Sequence, residues 1–303
     1  MTSLQVRKIR FDFEDEVPFL WNPDNPIFSA QINATSIIAI AFERFIVSAV
    51  QEVLPTLTDP AVYEEAHAFL LQEGQHSRCH RQHVAALVRR HPGLQQTLDA
   101  AVASYDALTA TKSLAFRLAY VADLEATFTP TFKLMLDNEA NLFAGGDERV
   151  ASLFLWHFVE EVEHRSSGLI VYNAAVTDRG YRTRVLPQVV RHLDKILKLI
   201  IDGFNEHVPA EQRGADARMI LPAYALRQRA VERARRTTGR LPSTYAGVPW
   251  SERLTASYRV LLSQLPGHDP AHEPLPAFAD RWFRHFEDGG DVAHWYRSTG
   301  VNA

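Results

Sequence analysis

Apolar residues recur at three- and four-residue intervals along most of the chain, and no stretch alternates convincingly with period two, so the pattern predicts an all-α protein. A first long helix is expected from about Asn33 to Leu54, closed by Pro55. Ile37, Ile38, Ile40, Phe42, Phe45, Ile46, Val47 and Val50 make it apolar almost all round, as a central helix would be. A second helix starts at Thr58-Asp59-Pro60 and meets no stop before His91-Pro92-Gly93. Residues 92–111 leave room for a crossover containing a short helix. A third long helix covers about Thr111 to Leu142, with Pro130 breaking its hydrogen-bond ladder. The fourth runs from the Gly145-Gly146-Asp147 cap to about Val176, and a fifth from Arg184 to His207. Shorter helices are expected near 250–264 and 275–286, before a tail containing Trp295. The turn-rich start, with W-N-P-D-N-P at 21–26, reads as an arm laid over the helices. The expected organisation is therefore an arm (1–30), a helical core (31–208) and a C-terminal helical extension (209–303).

Charged residues interrupt these apolar helices at selected positions. In the stretch Phe154–Gly168, His157, Glu161 and His164 fall at i, i+4 and i+7 and form one helical stripe. Glu73, His76 and His80 share a face of the second helix. Glu43 lies mid-way along the first helix and Glu125 along the third. In order, the chain offers Glu43, then Glu73-x-x-His76, then Glu125, then Glu161-x-x-His164. Two imidazole-carboxylate helices and two lone glutamates suit a pair of divalent ions: four carboxylates balance the charge and imidazoles complete the shells. The competing reading is a set of buried ion pairs, with Arg44 or Arg117 beside the glutamates. His157 is weighed as a direct ligand or as a donor behind the ligands. His80 raises the same question, since it would flank the site on the side of His157. Glu160 and Glu163 lie off the stripe, as partners behind the ligands or as surface charges.

The wider composition narrows the class. A net charge of −4 argues against a general nucleic-acid binder. Eight arginines between Arg213 and Arg240 form either a solvated helix face, the preferred reading, or a patch for an anionic partner. The single cysteine, Cys79, forms no internal disulfide, and residues 1–16 show no apolar signal core, so a cytoplasmic protein is expected. The most apolar run, residues 37–50, is interrupted by Glu43 and Arg44 and is too short to span a bilayer.

The phrases W-N-P-x-N-P, F-E-R-F, Q-E-x-x-H-x-R-x-H and W-H-x-x-E-E-x-E-H, at 21–26, 42–45, 72–80 and 156–164, resemble the bacterial family called predicted metal-dependent hydrolases. The order and spacing of the acidic and imidazole residues over roughly 30–180 resemble the ferritin-like di-iron carboxylate superfamily. The resemblance implies a ferritin-like four-helix bundle with a fifth helix and added C-terminal helices, and the ligands Glu43, Glu73, His76, Glu125, Glu161 and His164. His157 departs from the usual two-histidine set and is similar to the third histidine of arylamine N-oxygenases. The leading expectation is a di-iron oxygenase with two Fe ions, O2 as co-substrate, an external electron donor and a small organic substrate, amine or aromatic. The alternative is a hydrolase using two Fe, Mn or Zn ions and a hydroxide bridging them. No catalytic residue beyond the metal ligands is assigned. No nucleic-acid or membrane partner is expected, and the extra helices are candidates for a homodimer contact.

Overall fold

The computed structural model describes residues 4–178, 180–235 and 243–300. The end of the arginine-rich run and the turn expected at Leu241-Pro242 lie outside the described residues. Among those residues the fold is all helical, with no strand. The helices are α1 (Pro26–Val53), α2 (Pro60–Arg90), α3 (Leu94–Thr111), α4 (Leu114–Asp137), the short α5 (Glu139–Leu142), α6 (Glu148–Glu163), α7 (Ser167–Ala175), α8 (Tyr181–His207), the short α9 (Ala210–Arg213), α10 (Pro222–Arg235), α11 (Trp250–Ser263), α12 (Ala277–Glu287) and α13 (Trp295–Ser298).

Several boundaries differ from expectation: the expected third helix stops at Asp137, capped by Asn138 before the separate α5, and three further differences have clear local reasons. α1 starts two turns early because the Asn25 side chain accepts from the Phe28 amide and Pro26 occupies the first turn; that proline starts a helix rather than ending one. The segment read as a crossover holds the full-length α3, whose buried Leu94, Thr97, Ala101 and Tyr105 make a helical stripe. The expected fourth helix is divided. His164 caps the end of α6, and a turn at Arg165-Ser166 leads into α7. Pro130, by contrast, lies inside α4 without ending it.

α1 packs along α2 and also touches α3 and α4; α6 packs on α4 and α2, and α7 lies across the same pair. α8 covers α3 and α4, while α11, α12 and α13 lie over α4 and α6. One hydrophobic core draws on residues from Ile9 to Tyr296. The arm is fixed within it: Phe11 lies 5.5 Å from Trp156 between ring centres, Asn33 donates to the Phe19 carbonyl at 2.8 Å, and Asp147 N donates to the Trp21 carbonyl at 2.7 Å. No described helix is long and apolar enough to cross a membrane.

Two contacts of α8 generate tests. A Cβ at Gly203 would fall 2.1 Å from Thr97 Oγ1 on α3, so Gly203→Ala is expected to cost about 1–3 kcal/mol by overpacking. Urea unfolding should register that loss, and adding Thr97→Ala should recover part of it. His192 on α8 joins Tyr120 Oη (2.9 Å) and Ser104 Oγ (3.1 Å), and burial lowers its pKa from 6.5 to about 4. A base with a lowered folded-state pKa stabilises fully above its unfolded value, and that contribution is lost as pH falls through the window from 6.5 to about 4. The stability difference between wild type and His192→Gln should therefore shrink across that window.

Candidate metal centre

Four helices bring the predicted donors to one buried point. Glu43 comes from the middle of α1, Glu73 and His76 from α2, Glu125 from α4, and His157 and Glu161 from α6, with His164 at the α6 end. Every one of them is buried. Their atoms fall into two overlapping groups, Glu43–His76–His157–Glu161 and Glu73–His76–Glu161–His164. Within each group the donor atoms lie within 4.8 Å of one another. His76 and Glu161 belong to both. Glu125 stands outside the two groups, beside them, with Oε2 3.4 Å from His164 Nδ1. Gly168 on α7 makes room for it, since a Cβ there would lie 3.0 Å from Glu125 Cγ.

The donors lack the partners that burial normally demands. Both carboxylate oxygens of Glu43, Glu73 and Glu125, Oε2 of Glu161, Nδ1 of His76 and both ring nitrogens of His164 make no hydrogen bond within the protein. The arginines expected as buried partners lie elsewhere: Arg44 reaches Asp106 (3.2 Å) and Arg117 reaches Glu52 (2.5 Å), neither of them in the cluster. Burial, reinforced by the neighbouring carboxylates, raises the Glu73 carboxyl well above its ordinary value. Burial also raises Glu43, against partial relief from His76. Burial together with Glu161 lifts Glu125 to about 7. Glu161 is pushed the other way: although burial opposes ionisation, the surrounding His164, His157 and His76 hold it below the usual carboxylate range. A divalent ion relieves the shared repulsion, and hard carboxylates with borderline imidazoles suit Fe, Mn or Zn.

A second layer orients the rings. His76 Nε2 donates to Glu160 Oε2 at 2.9 Å, which leaves Nδ1 facing Glu161 (3.5 Å) and Glu73 (4.0 Å). Burial opposes a charge on His76, but its carboxylate partners Glu160 and Glu161 raise its pKa to about 10. Arg7 of the arm donates to Glu160 (3.0 Å) and to both oxygens of Glu163 (2.8 and 2.9 Å). Its guanidinium also lies over the rings of Trp282, Phe283 and Phe286 of α12, 4.8–5.9 Å from their centres. The C-terminal extension thus reaches the cluster through Arg7, Glu160 and His76.

His157 is held from its other side. Its Nε2 faces Glu161 (2.8 Å) and Glu43 (3.3 Å), while Nδ1 lies 2.8 Å from His80 Nε2. His80 Nδ1 meets Ser36 Oγ at 2.9 Å, and Ser36 Oγ meets His83 Nδ1 at 2.7 Å. If His157 Nε2 is to keep a free lone pair for a metal, every donor in this chain must run one way: His157 Nδ1–H to His80, His80 Nδ1–H to Ser36, and Ser36 O–H to His83. Burial favours the neutral rings this requires, lowering His157 to about 4 and His83 to about 3 and depressing His80 as well.

All seven expected ligands therefore converge, His80 touches His157, and Glu160 touches His76. The sequence reading missed Arg7, Ser36, His83 and the α12 aromatics. Arg7 lies 153 residues from Glu160, and no local pattern links the two. Aromatic rings wall part of the centre. Phe158 stacks on Phe132 at 4.0 Å and sits 5.7 Å from His157, whereas Phe42 and Phe128 pack 6.1 Å from each other. Phe69, 4.9 Å from His164, and Trp156, 5.0 Å from His76, complete the enclosure. A surface cleft of about 490 Å³ between the start of α2 and α7 is lined by Leu57, Asp59, Val62 and Ile170, and none of the donors lines it.

These features define an all-helical protein with a buried Glu/His cluster suited to metal ions. The family described as "predicted metal-dependent hydrolase" matches residues 5–246, and the chain belongs to it. Comparisons with curated proteins and with solved structures found no match. The matched span holds every donor and Arg7 but ends before α11 and α12.

The orienting layer has a measurable consequence. Glu160→Gln, and separately Arg7→Ala, should weaken divalent-metal binding about 10- to 100-fold in competition with a chromophoric chelator, with helical circular dichroism retained. Unchanged affinity in both variants would mean that His76 needs no outer partner.

Proposed function

We propose that the chain holds two divalent ions in a ferritin-like arrangement of α1, α2, α4 and α6, and that it hydrolyses a small organic substrate there. The observation that carries this reading is the pair of overlapping buried donor groups sharing His76 and Glu161. The family description supports hydrolysis over the oxygenase expected first from the sequence. Bound ions would supply Lewis-acid polarisation of a substrate carbonyl or phosphoryl oxygen and a water of lowered pKa. The remaining work falls to the protein. Glu161, the carboxylate most strongly held ionised, anchors the shared position. Arg7 and Glu160 fix the His76 ring, and His80 with Ser36 fixes His157. Glu125, outside both groups, is placed to hold or move a proton next to His164. Phe158, Phe132, Phe69 and Trp156 exclude bulk water, which strengthens each electrostatic contact.

A second reading has its own support. A third imidazole, His157, in one donor group and the aromatic enclosure suit oxygen chemistry at iron, which would need O2 and an external electron donor. The single cysteine suits a reducing, cytoplasmic setting for either reading, and the enclosed aromatic-walled centre suits a small substrate.

The metal-depleted chain, reloaded without air with Fe(II), Mn(II) or Zn(II), should bind two ions. It should then cleave activated esters or phosphoesters in a metal-dependent manner. A transient visible band on admitting O2 to the Fe(II) form, with no hydrolysis, would transfer the assignment to the oxygenase reading. Binding below one ion per chain would remove both. Glu161→Gln, which touches both groups, should abolish binding of both ions, whereas Glu43→Gln should lower the stoichiometry from two to one; metal analysis after gel filtration distinguishes these outcomes.

A further inference from the structure

α11 carries an apolar face that nothing in the described structure covers. Its inner side packs on α4, with Ser263 buried and Gln264 donating to the Asp123 carbonyl at 3.2 Å. On the outer side, Trp250 (65% exposed), Leu254 (65%), Tyr258 (62%), Leu261 (70%) and, in the turn that follows, Leu265 (52%) are open to solvent. At about 100° per residue these positions fall within roughly 80° of one another, so they form a single stripe. A soluble helix usually places charge in such a stripe.

The neighbouring charges are already paired, and the Arg253 guanidinium lies over the Trp250 ring at one end of the stripe, 5.0 Å from its centre. Glu252 accepts from Asn138 Nδ2 (2.7 Å), Arg259 pairs with Glu273 (2.7 Å), and Arg253 donates to the Val248 carbonyl (3.0 Å). The stripe is edged instead by small hydroxyl residues, two of them bonded to their own helix: Thr255 Oγ1 to the Ser251 carbonyl and Ser257 Oγ to the Arg253 carbonyl, both at 2.9 Å. Covering this face would desolvate little that lacks a partner. Depletion of charge with enrichment in Trp, Tyr and Leu is the composition of an interface centre.

The spacing identifies the occupant. A two-fold axis passing between residues 257 and 258 of two antiparallel α11 helices sets Trp250 opposite Leu265 and Leu254 opposite Leu261, and brings Tyr258 beside its own copy. The stripe is thus nearly a palindrome and meets the requirement of an isologous contact. The first three intervals, four, four and three, span eleven residues, a repeat that suits two nearly straight helices with a slight right-handed wrap. The exposed area of the five side chains is roughly 600 Å² per copy, on the order of 1,200 Å² for the pair, which reaches the lower bound of stable interfaces. We infer that this protein forms a two-fold symmetric dimer through antiparallel α11 helices. This inference is independent of the metal reading, and α11 lies beyond the residues matched by the family.

Sedimentation equilibrium of the full chain should show a monomer–dimer equilibrium, and Leu254→Glu with Leu261→Glu should weaken it by about a hundredfold or more. Retained metal content and helicity establish that the variant is folded. Because these sites are exposed, a second approach uses cysteines. Tyr258→Cys should form a disulfide dimer on mild oxidation. Leu254→Cys mixed with Leu261→Cys should cross-link to each other faster than either does to itself, since residue 254 lies seven positions, or about 10 Å of helix, from its own copy. A wild type that stays monomeric at all concentrations, including one that instead binds anionic vesicles, overturns the proposal. So does a dimer that the charge variant leaves intact, or a Leu254→Cys variant that cross-links to itself as fast as to Leu261→Cys.

Discussion

Everything in the centre of this protein follows from four carboxylates held out of water at one point. Glu43, Glu73, Glu125 and Glu161 are all essentially buried, and most of their oxygens find no hydrogen-bond donor in the chain. Burying even one unpaired carboxylate is costly, and four that repel one another would tend to open the bundle or take up protons. The strain falls unevenly: burial and mutual repulsion push the Glu43, Glu73 and Glu125 carboxyls up, while the imidazoles around Glu161 draw it down. Cations bound at the centre would relieve this, which would give the energetics of the fold and the chemistry of the site the same cause.

The layer behind the donors spreads that constraint across the chain. One line runs from His76 through Glu160 and Arg7 to the aromatic face of α12. Another runs from His157 through His80 and Ser36 to His83, close to Phe13 of the arm. Both lines end on segments that look peripheral in sequence, the N-terminal arm and the C-terminal extension. Both lines hold the ring orientation of a histidine at the centre, and such outer contacts are typically worth about 10- to 100-fold in the affinity of a metal site.

The arginine-rich stretch divides by position. Arg213 is buried and donates to the carbonyls of Phe204, Val208 and Ala215, acting as a clasp at the end of α8. Arg218 folds back on Asp216. Arg213 and Arg218 thus pair within their own chain, Arg218 at an exposed position, while Arg227 on α10 is exposed as a solvated helix face would be.

The sequence alone determined the helical class and the donors, because both are periodic and local: a stripe at i, i+4 and i+7 is fixed by the pitch of one helix whatever it packs against. It also carried the palindromic spacing of α11, though not its exposure. Tertiary structure decided what required distant residues to meet. It set Arg7 against Glu160 and Ser36 between His80 and His83, and it gave His76 and Glu161 to both donor groups while leaving Glu125 at the edge. It also decided that Pro26 starts α1 and that His164 ends α6, since a proline or a polar residue favours a helix end in either direction until a cap or a neighbouring helix selects one.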